Sequence, residues 1–298
     1  MSEGYRSGFV ALVGRPNVGK STLLNALVGE KVAIVAEKPQ TTRNRIHGIL
    51  TDETRQIIFI DTPGIHKPRT RLGDYMVGVA RRALAEVDVV LYVVDGRAPL
   101  GPGDQEIAAF LRNCKTPVLL AVNKVDALNR EETVVALDRY SSLADFAEVV
   151  PISALTGERL DVLLEIITKY LPSGPQFYPA DMVTDQPERF AVAELVREQV
   201  LKLTRDEVPH AVAVDVEEME QREGKDLVYV RANIYVEKES QKRILIGRDG
   251  AMLKAIGQGA RSSVEALLGM RVFLDLWVKV KKDWRDTEGT LRELGFER

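Results

Sequence analysis

The chain has one cysteine, Cys114, in 298 residues, so no intrachain disulfide can form and a reducing compartment is expected. The opening MSEGYRSG has neither the basic n-region nor the apolar h-region of a signal peptide, and a cytoplasmic location is expected. Long apolar runs are missing as well. The run from Val87 to Val94 is interrupted by Asp88 and falls far short of the roughly 20 residues a membrane span needs. Peripheral contact with a membrane surface stays open. An excess of one charge is also lacking: 41 Lys and Arg stand against 44 Asp and Glu, a net charge of −3, so overall charge does not advertise nucleic acid. What is present, 45% hydrophobic and 29% charged residues, describes an ordinary globular protein long enough for two domains.

From Phe9 to Leu171 short apolar runs (FVALV, RQIIFID, VDVVLYVVD, PVLLAVNK, VVPIS) alternate with amphipathic stretches. That alternation predicts an α/β domain, a mostly parallel six-stranded sheet with helices on both faces and ligands at the carboxyl ends of the strands. Residues 172–188 are proline-rich and carry neither a helical nor an alternating period, and read as a linker. Residues 189–298 follow the order α-β-β-α-α-β, with a hairpin turn at Gly224, and predict a smaller α+β domain. One local charge cluster stands out. Lys238 to Arg261 holds six basic residues against Glu239 and Asp249.

The stretch FVALVGRPNVGKSTLLNAL places Gly14, four residues and then Gly19-Lys20-Ser21 directly after a predicted strand and at the start of a helix. This is a phosphate-binding loop in the context it requires. Backbone N–H groups of residues 16–21 (Pro16, Asn17, Val18, Gly19, Lys20 and Ser21, the proline having none to give) can wrap the β-phosphate, and Thr22 is counted with the GTP-binding residues. Lys20 is expected to bridge the β- and γ-phosphates and the Ser21 hydroxyl to ligate Mg²⁺. In VNKVD, Asp126 supplies a carboxylate that accepts from the N1–H and 2-amino groups of guanine and repels adenine. Asn123 can brace the loop, the Lys124 stem can lie over the base, and Val125 completes the turn. Ser153 and Ala154 follow a further strand, with the Ala154 N–H placed for guanine O6. In IIFIDTPG, Asp61 is suited to hold Mg²⁺ through water, Thr62 and Pro63 form the turn, and the Gly64 N–H points to the γ-phosphate. Thr42 in QTTR is the preferred hydroxyl for Mg²⁺, with Thr41 second.

In this order GRPNVGKS, QTTR, DTPG, NKVD and SAL resemble the five motifs of translation-factor-class GTPases. One departure matters: Ile65 follows DTPG where Ras-like enzymes carry a glutamine that positions water. An alkyl side chain cannot orient a nucleophile, so hydrolysis is expected to be slow or to use another group. Gly247-Arg248-Asp249-Gly250, between two helical stretches of the second domain, resembles the GXXG loop of a type II KH domain. Such a loop clamps the backbone of a short single strand. Lys242, Arg243, Arg248 and Lys254 would meet phosphates, and Ile246, Leu253, Ile256 and Ala260 would shape a groove for bases.

Together the two domains resemble the Era family of bacterial ribosome-assembly GTPases over nearly the whole chain. The resemblance implies a GTP-binding domain over 1–171, a KH domain with its tail over 189–298, and GTP hydrolysis to GDP. It further implies binding near the 3′ end of 16S rRNA, assistance to 30S subunit assembly, loose inner-membrane association and a monomeric state. Related GTPases with an asparagine at the position of Asn17 use K⁺ as a charge-stabilising ion, so Asn17, Lys20, Thr42 and Gly64 form the implied catalytic set, with Arg15 and Arg43 as alternatives to K⁺. Two other readings stand beside this one: an RNA placeholder for which GTP is a structural ligand, and a membrane-peripheral signalling GTPase.

Overall fold

Buried apolar runs and amphipathic helices alternate through the first half of the computed structural model, which describes residues 4–65, 67–221 and 226–296. The elements are β1 (Arg6–Val13), α1 (Lys20–Val28), β2 (Ile46–Thr51), β3 (Arg55–Asp61), α2 (Arg71–Ala85), β4 (Val89–Asp95), α3 (Pro102–Leu111), β5 (Val118–Asn123), α4 (Arg130–Ser141), β6 (Glu148–Pro151) and α5 (Leu160–Tyr170). The six strands form one sheet in the order β2-β3-β1-β4-β5-β6, parallel except for β2, which runs antiparallel to β3. All of β5 and all but the last residue of β4 are buried, because helices cover both faces, and continuous apolar runs replace alternation. Parallel strands send their following loops to the same edge. The loops after β1, β3, β5 and β6 and the last residue of β4 therefore gather at one end of this sheet.

Contacts divide the chain into two units. The first contains residues 1–33, 42–68 and 76–185; the second contains 34–41, 69–75 and 186–298. The segment 172–188, read as a linker, divides between the two units. Residues up to 185 belong to the first unit, and a helix has already begun at Glu188. Within the first unit the proline-rich segment is strapped to the sheet. The Ser7 N–H donates to Pro172 O (3.2 Å), the Ile49 N–H donates to Val183 O (2.8 Å), and the Phe177 ring packs on Phe9 at 5.1 Å. Fully buried Gln56 organises it. Its Oε1 accepts from the N–H groups of Phe177 (2.6 Å) and Tyr178 (3.0 Å), and its Nε2 donates to Tyr178 O (2.8 Å) and Thr51 Oγ1 (3.0 Å).

The second unit contains α6 (Glu188–Leu203), α7 (Val208–Ala211), β7 (Ala213–Gln221), β8 (Leu227–Val236), α8 (Glu239–Ile246), α9 (Ala251–Leu268), β9 (Arg271–Val280) and α10 (Glu288–Glu293). Its sheet runs β7-β8-β9, antiparallel then parallel. The short α7 and α10 are additions to the expected order, and the turn expected at Gly224 lies outside the described residues. Segments 34–41 and 69–75 join this unit through polar bonds. The Val35 N–H donates to Glu198 Oε1 (3.0 Å), Arg197 donates to Thr41 O, and the Arg71 N–H donates to Asp286 Oδ1 (3.0 Å). Arg197 and Glu198 are both buried in α6, where charge is tolerated only with such partners.

Gln56→Leu should lower stability by about 2–3 kcal/mol, because two backbone N–H groups of the strap lose their shared acceptor. Urea unfolding checks this, and an unchanged midpoint would mean that the strap is held by its apolar contacts alone.

Candidate functional site

At the end of β1 the chain turns through Gly14 into a loop that closes on α1. Gly19 has φ +102°, and a Cβ there would run into the Asn123 amide, so glycine is required both by conformation and by space. Lys20 is buried, and its Nζ donates to the carbonyls of Gly14 (3.1 Å) and Arg15 (3.0 Å). Burial pushes this ammonium down to about 8, against the opposing charge of Asp61. Asn17 is exposed at φ +64°, a left-handed position asparagine tolerates, and its carbonyl accepts from Lys124 Nζ at 2.7 Å. Pro16 packs against Gly64, where any Cβ would meet Pro16 N at 2.7 Å, so the loop after β3 approaches the first loop closely.

Asp61 is fully buried at the end of β3. Its Oδ2 accepts from Ser21 Oγ (2.6 Å) and Thr42 Oγ1 (2.9 Å), and these two hydroxyls are 2.9 Å apart. Its Oδ1 is buried and has no hydrogen-bond partner among the described residues. Burial raises the Asp61 carboxyl, while Lys20 and the two hydroxyls pull it back. Hard oxygen donors converging on a partly unsatisfied carboxylate suit Mg²⁺. No group of three or more His, Cys, Asp or Glu converges among the described residues, so a metal here would depend on phosphate oxygens to complete its shell. Thr41 points elsewhere, donating to Lys38 O at 2.7 Å.

The loops after β5 and β6 form a second cluster. Asn123 is buried; its Nδ2 donates to Val18 O (2.9 Å), and its Oδ1 accepts from the Ala154 N–H (2.9 Å). This asparagine therefore ties the first glycine loop to the loop after β6. The Ala154 N–H assigned above to guanine O6 is engaged with Asn123 here. Ser153 Oγ donates to Asp126 Oδ1 at 2.5 Å and fixes that carboxylate. Val18, Thr62, Pro63 and Val125 are buried, and the Thr62 hydroxyl donates to Leu12 O (2.7 Å), so these side chains pack the loops from beneath. Thr22 is the third residue of α1, partly exposed.

Sequence reasoning missed two carboxylates. Asp95, at the end of β4, accepts from Lys124 Nζ (2.8 Å) and Arg97 Nη2 (2.9 Å). Burial alone would raise its carboxyl, but hydrogen bonds from Arg97 and Lys124 hold it down at about 2. Buried Asp104 accepts from Arg15 Nη1 (2.8 Å) and the Gly101 N–H (2.9 Å), so Arg15 is anchored on α3 instead of lying in solvent. Arg43, the other arginine offered in place of K⁺, is buried. An acidic residue at the carboxyl end of a parallel strand was the available signal for Asp95; for Asp104 none existed.

In the second unit Gly247 (φ +71°) ends α8 and Gly250 (φ +78°) starts α9, with Asp249 between them also at positive φ. A Cβ at Gly247 would meet Met252 Cβ at 2.7 Å, whereas one at Gly250 would meet nothing within 4 Å. Open space at Gly250 lies at the N-terminus of an 18-residue helix, a favourable place for an anion. Arg243, Arg248, Asp249 and Lys254 are exposed; Lys242 and Ile246 are partly so. Ile256 and Ala260 are fully buried in the core and cannot line a groove, a correction to the groove expected above. Ile244, 46% exposed beside the loop, was not anticipated.

Comparison with known proteins covers both units. A family model described as 50S ribosome-binding GTPase matches residues 9–124, and a KH domain model matches residues 207–285. The GTPase Era of Alkaliphilus oremlandii is 52% identical over 293 residues, spanning 98% of this chain and 99% of the relative. The GTPase Era of Alkaliphilus metalliredigens is 51% identical, with the same shares covered. A solved structure of Era in complex with MgGDPNP and nucleotides 1506–1542 of 16S ribosomal RNA superposes with a TM-score of 0.95 at 42% identity, covering 99% of this chain and all of the other. A variant of Aquifex aeolicus Era bound to GDP·AlF4⁻ gives the same TM-score and identity over 98% of this chain and all of that one.

Lys20 makes guanine nucleotide affinity depend on pH. Burial holds its ammonium down at about 8, and a bound triphosphate would keep it protonated. Binding then takes up a proton above that pH. Affinity should be level below it and fall by up to about tenfold per pH unit beyond it. Calorimetry in buffers of different ionisation enthalpy measures the uptake, and its absence would show Lys20 to be fully charged before binding.

Proposed function

The chain belongs to the Era family of GTPases, and on that premise we propose that its GTP hydrolysis governs binding of 16S rRNA near the 3′ end during assembly of the 30S subunit. The observation that carries this reading is the likeness, across essentially the full chain, to a relative holding both MgGDPNP and a 16S rRNA fragment. The family model for the first unit is described by the 50S subunit. Our choice of the small subunit rests on the full-length relative, since a match to one domain carries no RNA specificity.

In this reading Gly14, Arg15, Pro16, Asn17, Val18, Gly19, Lys20, Ser21 and Thr22 embrace the phosphates, with Lys20 supplying the charge. Ser21 and Thr42 would hold Mg²⁺ and Asp61 would hold it through water. The metal would neutralise charge developing on the transferred phosphoryl group. Asp126, oriented by Ser153, selects guanine, and Lys124, held by Asp95 and the Asn17 carbonyl, covers the base. Asn123, Val125 and Ala154 brace that loop, and Thr62, Pro63 and Gly64 carry the turn facing the γ-phosphate. RNA would approach the Gly247–Gly250 loop, with Lys242, Arg243, Arg248 and Lys254 at its phosphates and Ile246 beside its bases. Guanine nucleotide, RNA and the 30S particle are the partners of a cytoplasmic monomer. Inner-membrane contact would be peripheral, since no helix among the described residues is long and apolar enough to cross a bilayer.

Ile65 packs against the apolar core of the first unit and offers no hydrogen bond to water. Arg15 is bound to Asp104 and Arg43 is buried, which leaves a cation at Asn17 as the reading for charge stabilisation. Hydrolysis should run faster in KCl than in NaCl at equal ionic strength, and Asn17→Ala should abolish the difference while nucleotide still binds. Equal rates in the two salts, with RNA present, would remove K⁺ from the mechanism.

The RNA site is tested best at Gly250, where there is space for a side chain. Gly250→Asp should cost at least tenfold in affinity for a 16S 3′-end oligonucleotide and leave GTP affinity unchanged, because a carboxylate would stand where the phosphate approaches. Filter binding at two salt concentrations reads this. Retained RNA affinity would reduce the loop to a helix cap.

A further inference from the structure

The sheet of the second unit has two unlike faces. Val228, Val230, Ala232, Ile234 and Val236 of β8 point into the core. The alternate residues form the opposite face, where register pairs Tyr229 with Phe273, Arg231 with Asp275 and Asn233 with Trp277 across β8 and β9. Phe273 is 58% exposed and Trp277 54% exposed, two large aromatics on one strand and one face, open to solvent. A bulge after Val216 brings Glu217 and Glu218 to this face along β7, with Glu220 opposite Tyr229.

One cation already sits in this environment. The Arg231 guanidinium lies 5.6 Å from the Tyr229 ring centroid, pairs with Glu218 (3.2 Å) and Asp275 (3.5 Å), and donates to the Tyr229 hydroxyl (2.9 Å). A ring beneath and carboxylates at the rim are the chemistry that recognises a guanidinium. Asp275 also accepts from Trp277 Nε1 (3.1 Å), holding that indole against the sheet with its outer surface uncovered.

We propose that this face is a docking surface for an extended polypeptide segment carrying arginines, separate from the glycine loop of the same unit. Charge decides between polypeptide and RNA. The basic residues Lys242, Arg243, Arg248 and Lys254 lie on and around α8 and the start of α9, whereas this sheet face carries Asp215, Glu217, Glu218, Glu220 and Asp275 against Arg231, Arg271 and Lys279, with Lys279 paired to Glu217 (3.5 Å), and is acidic on balance. That acidic excess disfavours a phosphate backbone, while an arginine side chain can lie on an exposed ring of a face whose carboxylates outnumber its cations. Geometry adds a spacing. Phe273 and Trp277 are four residues apart on a strand, about 13 Å. Two arginines four apart in an extended segment span the same distance, one for each ring.

The test uses the full chain and a fluorescein-labelled Gly/Ser peptide with two arginines four positions apart, read by anisotropy. Phe273→Ser together with Trp277→Ser removes the rings but no charge, and because both side chains are exposed the fold and GTP affinity should be unchanged. The expected result is saturable peptide binding that the double variant weakens at least tenfold, with Arg-to-Gln peptide binding lost and a decauridine probe unaffected. Trp277 emission should also shift on peptide addition, since Trp284 is fully buried and silent to a surface ligand. Absence of binding, or equal affinity in the double variant, would overturn the proposal by leaving at most unspecific attraction to an acidic protein. Weakened decauridine binding with peptide binding intact would reassign the face to nucleic acid.

Discussion

Asp61 holds two hydroxyls with one oxygen, Oδ2, while the whole residue is sealed from solvent. Ser21 belongs to the start of α1, Thr42 to the chain before β2, and Asp61 to the end of β3, so this oxygen fixes three stretches of backbone at one point. In water the two bonds would be worth little; in a buried site their absence would strand a carboxylate. The opposing charge is Lys20, also buried, and each group shifts in the direction that disfavours its own ionisation. The pair is poised to gain from a ligand bearing phosphate and a divalent ion together. Phosphate answers the lysine and the ion answers the carboxylate. The glycines and caps around it serve chiefly to let backbone come close enough for this to happen.

How much was legible in the sequence depended on whether a residue acted through a fixed loop geometry. The positions of the glycine loop, Asp61, Asn123 and Asp126 could be read because each sits at or just after the end of a buried strand, and the strand itself announces its position; Thr42, in the chain before β2, had only its hydroxyl to mark it. Asp104 could not. It lies in the first turn of α3, where acidic residues are ordinary, and only tertiary packing reveals that it holds Arg15 from the glycine loop. The burial of Arg43 and Arg197 was invisible for the same reason, since a buried arginine has no periodic signature. Ile256 and Ala260 were misread because period identifies an apolar helix face without saying whether the core or a ligand covers it. The order of the proline-rich strap was not legible because it comes from partners distant in sequence, among them Gln56, Ile49 and Phe9.

The two unlike glycine loops show how one residue type serves different ends. Gly19 is needed because Asn123 occupies the place of its side chain, and Gly247 because Met252 does. Gly250 meets no such obstacle, and its positive φ carries the turn into α9 with space above it. A glycine hemmed in by protein is a packing requirement. A glycine facing open space at a helix start leaves room for something outside the chain.

The strap over residues 172–185 has a consequence beyond the stability it lends. β2 is the last strand of its sheet, and an edge strand offers its free N–H and C=O groups to any chain that passes. The bond from the Ile49 N–H to Val183 O engages that edge, and the Thr184 hydroxyl donates to His47 O beside it at 2.7 Å. If the strap is cut or displaced, the first sign should be self-association through β2, at concentrations where the rest of the sheet is still folded. A segment that reads as a spacer thus acts as a guard against aggregation.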